Sequence, residues 1–290
     1  MEAGLRQSWT SRQLSKNVFE IRVQAKLVKG WTFRCLVTGD RHWDNPDSNH
    51  KLQREHLDQA KAIHAPVVDI GDLLCLMQGK YDPRSSKSKV RSEHQTENYL
   101  GDVIAGAVDF FAPYGDQLVA IGVGNHEVSV SKRIELSVTD LLVNGLRARG
   151  SSVHNGHFSG FVMFRFQDGT MVRGVTMHYD HGYGGDSSIT ADMPSHHRRQ
   201  AFLPDADIIV SGHCHHSWTR KVARKRVSGA GKVYLDEQLH IKVPTYKEEY
   251  RDGSGGWHVE TGKPPKPVGA YWVEFTCREN RNITYKAVEA

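Results

Sequence analysis

Residues 116–127, DQLVAIGVGNHE, contain the pattern that decides the fold: an apolar run, then glycine, then polar side chains. The same pattern recurs in residues 31–40, WTFRCLVTGD, in 66–72, PVVDIGD, and in 205–213, DADIIVSGH. Short apolar runs bounded by glycine are typical of buried strands. Polar residues at the carboxyl ends of such strands gather in one crevice of an α/β sheet. The sequence therefore predicts a cleft lined by the side chains that follow these strands.

The remaining segments predict helices in the first half and strands in the second. Apolar residues at helical spacing predict helices over 49–64, 97–111 and 131–149. Two later apolar runs, 158–166 and 170–179, predict a hairpin that turns at 167–169. Alternating strands and helices followed by further strands predict an α/β fold in which two packed sheets carry helices outside.

Composition indicates an ordinary soluble protein. We expect a single domain over the 290 residues, since nothing in the sequence forces a second one. No apolar run approaches the length of a membrane span, and the first residues do not resemble a signal peptide. We therefore expect a cytoplasmic protein whose four cysteines are free thiols. Nothing in the sequence indicates an obligate protein partner.

The residues that follow the predicted strands carry metal-ligand atoms. Candidate ligands with oxygen or imidazole nitrogen atoms are Asp40, His42, Asp72, Asn125, His213 and His215. In an extended segment residues two apart point the same way, so each Asp-x-His or His-x-His pair can reach one ion. Mixed oxygen and nitrogen ligands without thiolate suit manganese, iron or zinc better than magnesium or calcium.

These motifs, in this order, resemble the calcineurin-like metallophosphoesterases, in the compact standalone form found in phages and bacteria. The matching blocks within 39–215 are Asp40-Arg41-His42, Gly71-Asp72-Leu73-Leu74-Cys75, Gly124-Asn125-His126-Glu127, the region 178–182, and Gly212-His213-Cys214-His215. The resemblance implies a four-layer α/β/β/α sandwich of two mixed sheets, with C-terminal strands in 218–290 completing the second sheet. Cys75 stands where the family has a second aspartate, and we expect it to be a buried apolar residue rather than a ligand.

The resemblance also implies the site. The first ion would take Asp40, His42, Asp72 and His215, and the second Asp72, Asn125, His213 and a histidine of 178–182. The implied reaction is attack on phosphorus by a hydroxide that bridges two divalent ions, manganese first, with iron, zinc or nickel as alternatives. His126 would stand beside the leaving oxygen as general acid, with Glu127 orienting it. Asn125 and Arg41 are the residues expected to contact the phosphate, although Arg41 can equally be a surface residue.

The fourth block leaves two histidines open, His178 and His181. Met177 and Tyr179 have the parity of the apolar face of their predicted strand, and His178 has the opposite parity. His181 comes last and is followed by Gly182, as the other ligands stand next to glycine. We therefore expect His181 to be the ligand, with His178 as the alternative.

The substrate class is predicted only broadly. The net charge of +5 and the basic run 220–226 favour an anionic substrate, so we expect a phosphodiesterase or nuclease acting on nucleic acid or nucleotides. One alternative is a phosphomonoesterase that acts on nucleotides or phosphoproteins. The other is a non-catalytic scaffold of the same fold.

Overall fold

Strands β1 to β13 and helices α1 to α6 build the part of the chain that the computed structural model describes, which is residues 6–77, 89–185, 187–250, 253 and 257–290. The strands are β1 (Trp9–Ser15), β2 (Val18–Gln24), β3 (Thr32–Thr38), β4 (Val67–Asp69), β5 (Leu118–Gly122), β6 (His154–His157), β7 (Ser159–Asp168), β8 (Met171–Asp180), β9 (Ile208–Ser211), β10 (Trp218–Val227), β11 (Val233–Lys242), β12 (Tyr271–Cys277) and β13 (Ile283–Glu289). The helices are α1 (His50–Ala62), α2 (Tyr99–Phe111), α3 (Asn125–Ile134), α4 (Val138–Ala148), α5 (Met193–Phe202) and α6 (Trp257–Glu260).

The strands form two mixed sheets, as the sequence predicts. One sheet has the order β1-β2-β7-β8-β9-β11-β10, and the other has the order β13-β12-β3-β4-β5-β6. The second sheet contains the parallel neighbours β3, β4 and β5, and the first contains the parallel neighbours β8 and β9. The hairpin predicted at 167–169 is confirmed, because β7 and β8 pair antiparallel around it.

Alternating side chains on β3 show how the layers are arranged. Cys35 and Val37 are buried with residues of both sheets, such as Phe164 and Phe275. Leu36, between them, instead packs in a cluster built largely from helices α1, α2 and α4. On the far side Leu203, directly after α5, packs in a small cluster with Ile209 of β9. The layer order is therefore helix, sheet, sheet, helix, which confirms the expected sandwich.

The helix predicted over 131–149 is in fact two helices. The helix α3 already begins at Asn125, where the Glu127 side chain accepts a hydrogen bond from Gly124 N at 2.8 Å and so caps it. It ends at Ile134, because the next residue, Glu135, has a left-handed φ of 57°. Ser137 then caps α4 by accepting from Asp140 N. We did not predict β1, β2 or α5 from the sequence, although Phe19, Ile21 and Val23 of β2 alternate as expected for a half-buried strand.

The C-terminal strands were expected to complete one sheet, and this expectation is wrong. The strands β10 and β11 belong to the seven-stranded sheet, because β11 pairs with β9. The strands β12 and β13 belong to the other sheet, because β12 pairs with β3. Among the described residues, no helix has both the length and the apolar character to cross a membrane.

Candidate metal centre

The side chains predicted to bind metal come together at one edge of the two sheets. They follow the carboxyl ends of β3, β4 and β5 in one sheet and of β8 and β9 in the other: Asp40, His42, Asp72, Asn125, His181, His213 and His215. Parallel neighbouring strands end at the same edge, so both sheets contribute ligand-type residues to one cleft.

The first group consists of Asp40, His42 and His215, whose ligand atoms all lie within 4.8 Å of one another. His42 Nε2 and His215 Nε2 face each other at 3.2 Å. Asp40 Oδ1 lies 3.4 Å from His215 Nε2 and 3.9 Å from His42 Nε2. One carboxylate and two imidazoles that converge in this way could hold a metal ion.

The second group consists of Asp72, His181 and His213, again with ligand atoms within 4.8 Å of one another. Asn125 adds its Oδ1, which lies 2.7 Å from His213 Nδ1 and 3.1 Å from His181 Nε2. The other nitrogen of His213, Nε2, lies 3.2 Å from the Gly184 carbonyl oxygen. A carbonyl that accepts from one ring nitrogen leaves the other nitrogen with a lone pair for a metal.

Each aspartate has one oxygen fixed by the backbone and one turned towards imidazoles. His213 N donates to Asp40 Oδ2 at 2.8 Å, and His126 N donates to Asp72 Oδ1 at 2.9 Å. Asp40 Oδ1 is buried and makes no hydrogen bond within the described ranges. Because an unpaired buried carboxylate oxygen is costly, a cation between these groups would stabilise the arrangement. The residues present therefore fit transition-metal ions.

The protonation of Asp72 supports the same conclusion. Burial acts to raise the pKa of Asp72, but the adjacent imidazoles of His181 and His126 outweigh it and hold that pKa well below its usual range. Burial acts to lower the pKa of His181, but the Asp72 carboxylate raises it to about 9. Positive charge is thus favoured beside Asp72, as expected for a position that an ion would occupy.

Backbone strain is concentrated in the candidate ligands. Five of them have φ values between 44° and 76°, in the left-handed region: Asp40, His42, Asp72, His213 and His215. This region is unfavourable for residues with a Cβ atom and is found at functional sites when the surrounding fold enforces it. The fold therefore enforces a strained backbone at the residues whose side chains line the cleft.

The glycines of the motifs are explained mainly by close approach to the carboxylates. A Cβ atom on Gly124 would lie 2.0 Å from Asp72 Oδ1, and one on Gly212 would lie 2.4 Å from Asp40 Oδ2. Neither distance is possible, so only glycine lets the opposite loop reach each aspartate. The sequence predicts that these glycines permit a sharp turn. The structure shows that glycine is also required there because a Cβ atom would overlap a carboxylate.

His126 lies beside the second group, but Glu127 does not orient it. His126 Nδ1 donates to the Cys75 carbonyl oxygen, and Nε2 lies 3.8 Å from Asp72 Oδ2. Glu127 is buried and accepts from the backbone N–H groups of Leu74 and Gly124. Burial and then the nearby Asp72 raise the pKa of Glu127 to about 8. Glu127 therefore joins the Asp72 loop to α3, and the orienting group for His126 is Cys75.

Arg41 does not reach the cleft, contrary to its expected contact with phosphate or solvent. Its side chain is 1% exposed and donates from Nε to Asp69 Oδ2 at 2.8 Å. Nη2 donates to Thr38 Oγ1 at 3.0 Å, and the guanidinium carbon lies 4.9 Å from the centre of the Tyr246 ring. The Arg41 side chain therefore points into the fold, whereas those of Asp40 and His42 point into the cleft.

The two histidines of the fourth block have different surroundings. His181 Nε2 lies 3.2 Å from Asp72 Oδ2, within the second group. His178 Nε2 lies 3.1 Å from Ser159 Oγ, and its ring packs against Phe161 with centroids 4.8 Å apart. The geometry therefore brings His181, and not His178, to the other candidate ligands.

We expect His181→Ala to lose about one of the two bound ions, because it removes a ligand of the second group. His178→Ala is the matched control and should keep the wild-type metal content. The measurement is metal content per chain by mass spectrometry of purified proteins. Full occupancy in His181→Ala together with loss in His178→Ala would reverse the assignment.

A buried ionic network behind the second group was not foreseen. Arg199 of α5 donates to both oxygens of Asp180 at 2.8 and 2.7 Å, directly before His181. Lys242 Nζ donates to Asp192 at 2.6 Å and to Ser211 at 3.2 Å. The sequence does not predict this contact, because Arg199 and Asp180 are 19 residues apart. This network ties α5 to the strand ends that carry His181 and His213.

The basic run 220–226 lies on β10, an edge strand. Much of its charge is paired within the hairpin: Lys221 Nζ lies 2.8 Å from Glu237, and Arg224 lies 2.8 Å from Asp236. β10 starts beside the cleft and leads away from it by about 30 Å, at about 3.3 Å per residue. A nucleic-acid contact on this strand stays a prediction.

Comparison with known proteins gives distant likenesses of fold. No protein-family profile matches the chain, and no curated protein sequence matches it. Vps29 from Entamoeba histolytica, in complex with zinc, is 11% identical with a TM-score of 0.34, covering 89% of this chain and 99% of that one. A predicted phosphoesterase from Streptococcus pneumoniae is 9% identical with a TM-score of 0.32, covering 89% and 98%. GAP50 from Plasmodium, an anchor in the inner membrane complex, is 12% identical with a TM-score of 0.40, covering 89% and 84%.

Proposed function

We propose that this protein is a metal-dependent hydrolase of phosphate esters that uses two adjacent divalent ions. The observation that carries the proposal is the pair of ligand groups around Asp40 and Asp72, which share one cleft and keep every predicted ligand type. Asp40, His42 and His215 would hold one ion, and Asn125, His181 and His213 the other. Asp72, beside both groups, would be shared.

The ions, when bound, supply an activated water and neutralise charge on the phosphate. The chain supplies His126. Because a carbonyl oxygen only accepts, the hydrogen bond to Cys75 places a proton on His126 Nδ1 and leaves Nε2 on the side of Asp72. In its protonated form His126 can donate from Nε2 to the leaving oxygen, so we assign it the role of general acid.

Charge in the cleft favours phosphodiesters over phosphomonoesters. A monoester phosphate carries about two negative charges at neutral pH and needs more cationic partners than a diester. Arg41 is buried away from the cleft, and Lys247, which lies close enough to His42 to help lower the pKa of that histidine, is paired with Glu249. We therefore propose a phosphodiesterase, with nucleic acids and nucleotides as candidate substrates and manganese as the first candidate ion.

We expect the manganese-loaded protein to hydrolyse bis(p-nitrophenyl) phosphate with a higher kcat/KM than p-nitrophenyl phosphate. These two compounds share a leaving group, so the comparison isolates the charge of the ester. Faster cleavage of the monoester would favour the phosphomonoesterase alternative. Cleavage of neither compound with manganese, iron, zinc or nickel would favour the scaffold alternative.

A further inference from the structure

A third group of ligand-type atoms lies beside the first two. His42, Cys75 and His126 each offer a ligand atom, and these atoms all lie within 4.8 Å of one another. The rings of His42 and His126 meet edge to face, with centroids 4.9 Å apart. The group contains a sulfur atom, unlike the groups around Asp40 and Asp72.

One ring nitrogen of His42 makes no hydrogen bond to any residue that the structure describes. Its Nε2 faces His215 in the first group. The side chain is only 2% exposed, so water has little access to it. Its Nδ1 makes no hydrogen bond within the described ranges. A buried ring nitrogen without a partner is costly, and a ligand bound there would remove that cost.

Cys75 has surroundings that suit a sulfur ligand. Asn45 Nδ2 donates to its Sγ at 3.4 Å, which would stabilise a thiolate. The Cys75 backbone is held by Asp44, whose carboxylate accepts from the N–H groups of Cys75 and Leu76. Burial raises the pKa of the Cys75 thiol to about 12, so the free protein holds a thiol. An ion in contact deprotonates such a thiol outright.

We propose that His42, Cys75 and His126 form a third metal position, selective for a soft divalent ion such as zinc. The thiol proton of Cys75 and the Nδ1 proton of His42 pass to solvent as the bonds from sulfur and from that nitrogen to the metal form, because Nε2 uses the single lone pair of neutral His42 in the first group. Two imidazoles and a thiolate are the ligands that zinc prefers, and manganese binds thiolate poorly. Occupation engages His126, the general acid of the proposed function on which this inference rests. Zinc in excess would therefore inhibit the manganese-loaded enzyme.

The test is a titration of the metal-free protein with cobalt(II), followed by absorption spectroscopy. A bond between cobalt and thiolate produces an intense charge-transfer band in the near ultraviolet. We expect this band in the wild type and in Cys214→Ser, a matched control because Cys214 lies between two proposed ligands. It should be absent from Cys75→Ser. Inhibition of manganese-loaded Cys75→Ser should need at least about tenfold more zinc than the wild type does.

A wild-type spectrum without the band at saturating cobalt would overturn the third position, whether or not Cys75→Ser folds. Persistence of the band in folded Cys75→Ser would overturn it too. The proposed function fails separately: it fails if the protein binds no ions at the first two groups, and it stands if two ions bind without a thiolate band.

Discussion

His126→Ala is expected to lower the rate constant for phosphodiester cleavage by roughly 10²–10⁴-fold, the usual contribution of general acid–base catalysis. His126 Nε2 lies 3.8 Å from Asp72 Oδ2, and Nδ1 is fixed by the Cys75 carbonyl. The role of proton donor predicts a larger loss for substrates whose leaving group is a poor one. The measurement is single-turnover kinetics with leaving groups of different pKa.

Measuring metal content distinguishes a role of His126 in proton donation from a role in holding the metal site together. We expect His126→Ala to keep its manganese content near the wild-type value, because His126 belongs to neither ligand group of the pair. Loss of both ions on substitution would show that the role assigned to His126 is wrong. An equal loss of rate for good and poor leaving groups would argue against proton donation.

Arg41→Met is expected to lower the free energy of unfolding by about 3–5 kcal/mol, because it leaves the buried Asp69 carboxylate without its cation. Both side chains of this pair are 1% exposed, and Arg41 also donates to Thr38. Methionine keeps most of the apolar volume of the arginine side chain. The loss of unfolding free energy therefore measures the effect of removing the guanidinium charge. The measurement is urea unfolding followed by circular dichroism.

The control for this variant is Lys221→Met, in a pair whose side chains are 48% and 56% exposed. It should change the free energy of unfolding by less than about 1 kcal/mol, as exposed pairs do. If Arg41 contacts the phosphate instead, Arg41→Met would raise KM and leave the unfolding midpoint unchanged. That result would restore the expectation from sequence.

The convergence of the candidate ligands follows from local features of the sequence. Asp40, Asp72 and His213 each follow a glycine at the end of an apolar strand. Parallel strands bring such ends together whatever the rest of the chain does. His181, with glycine after it, was chosen over His178 on the same local ground, and its role as a ligand stays a prediction until metal content is measured.

The roles that the sequence could not predict depend on partners far along the chain. Arg41 looked available to a phosphate, but Asp69, which binds it, stands at the end of the next strand. Glu127 looked like a partner of His126, but its carboxylate caps α3 and holds the Asp72 loop. Local sequence carries no sign of the contacts with Asp69 and with the Asp72 loop, because these follow from how the strands are paired.

The central claim is that Asp72 lies between two ions that act together. The most direct test is electron paramagnetic resonance of the protein loaded with manganese, with metal content measured on the same sample. We expect about two manganese ions per chain, coupled magnetically because the pair lies roughly 3.5–4 Å apart. One ion per chain, or two ions with the spectrum of isolated manganese, would contradict the account.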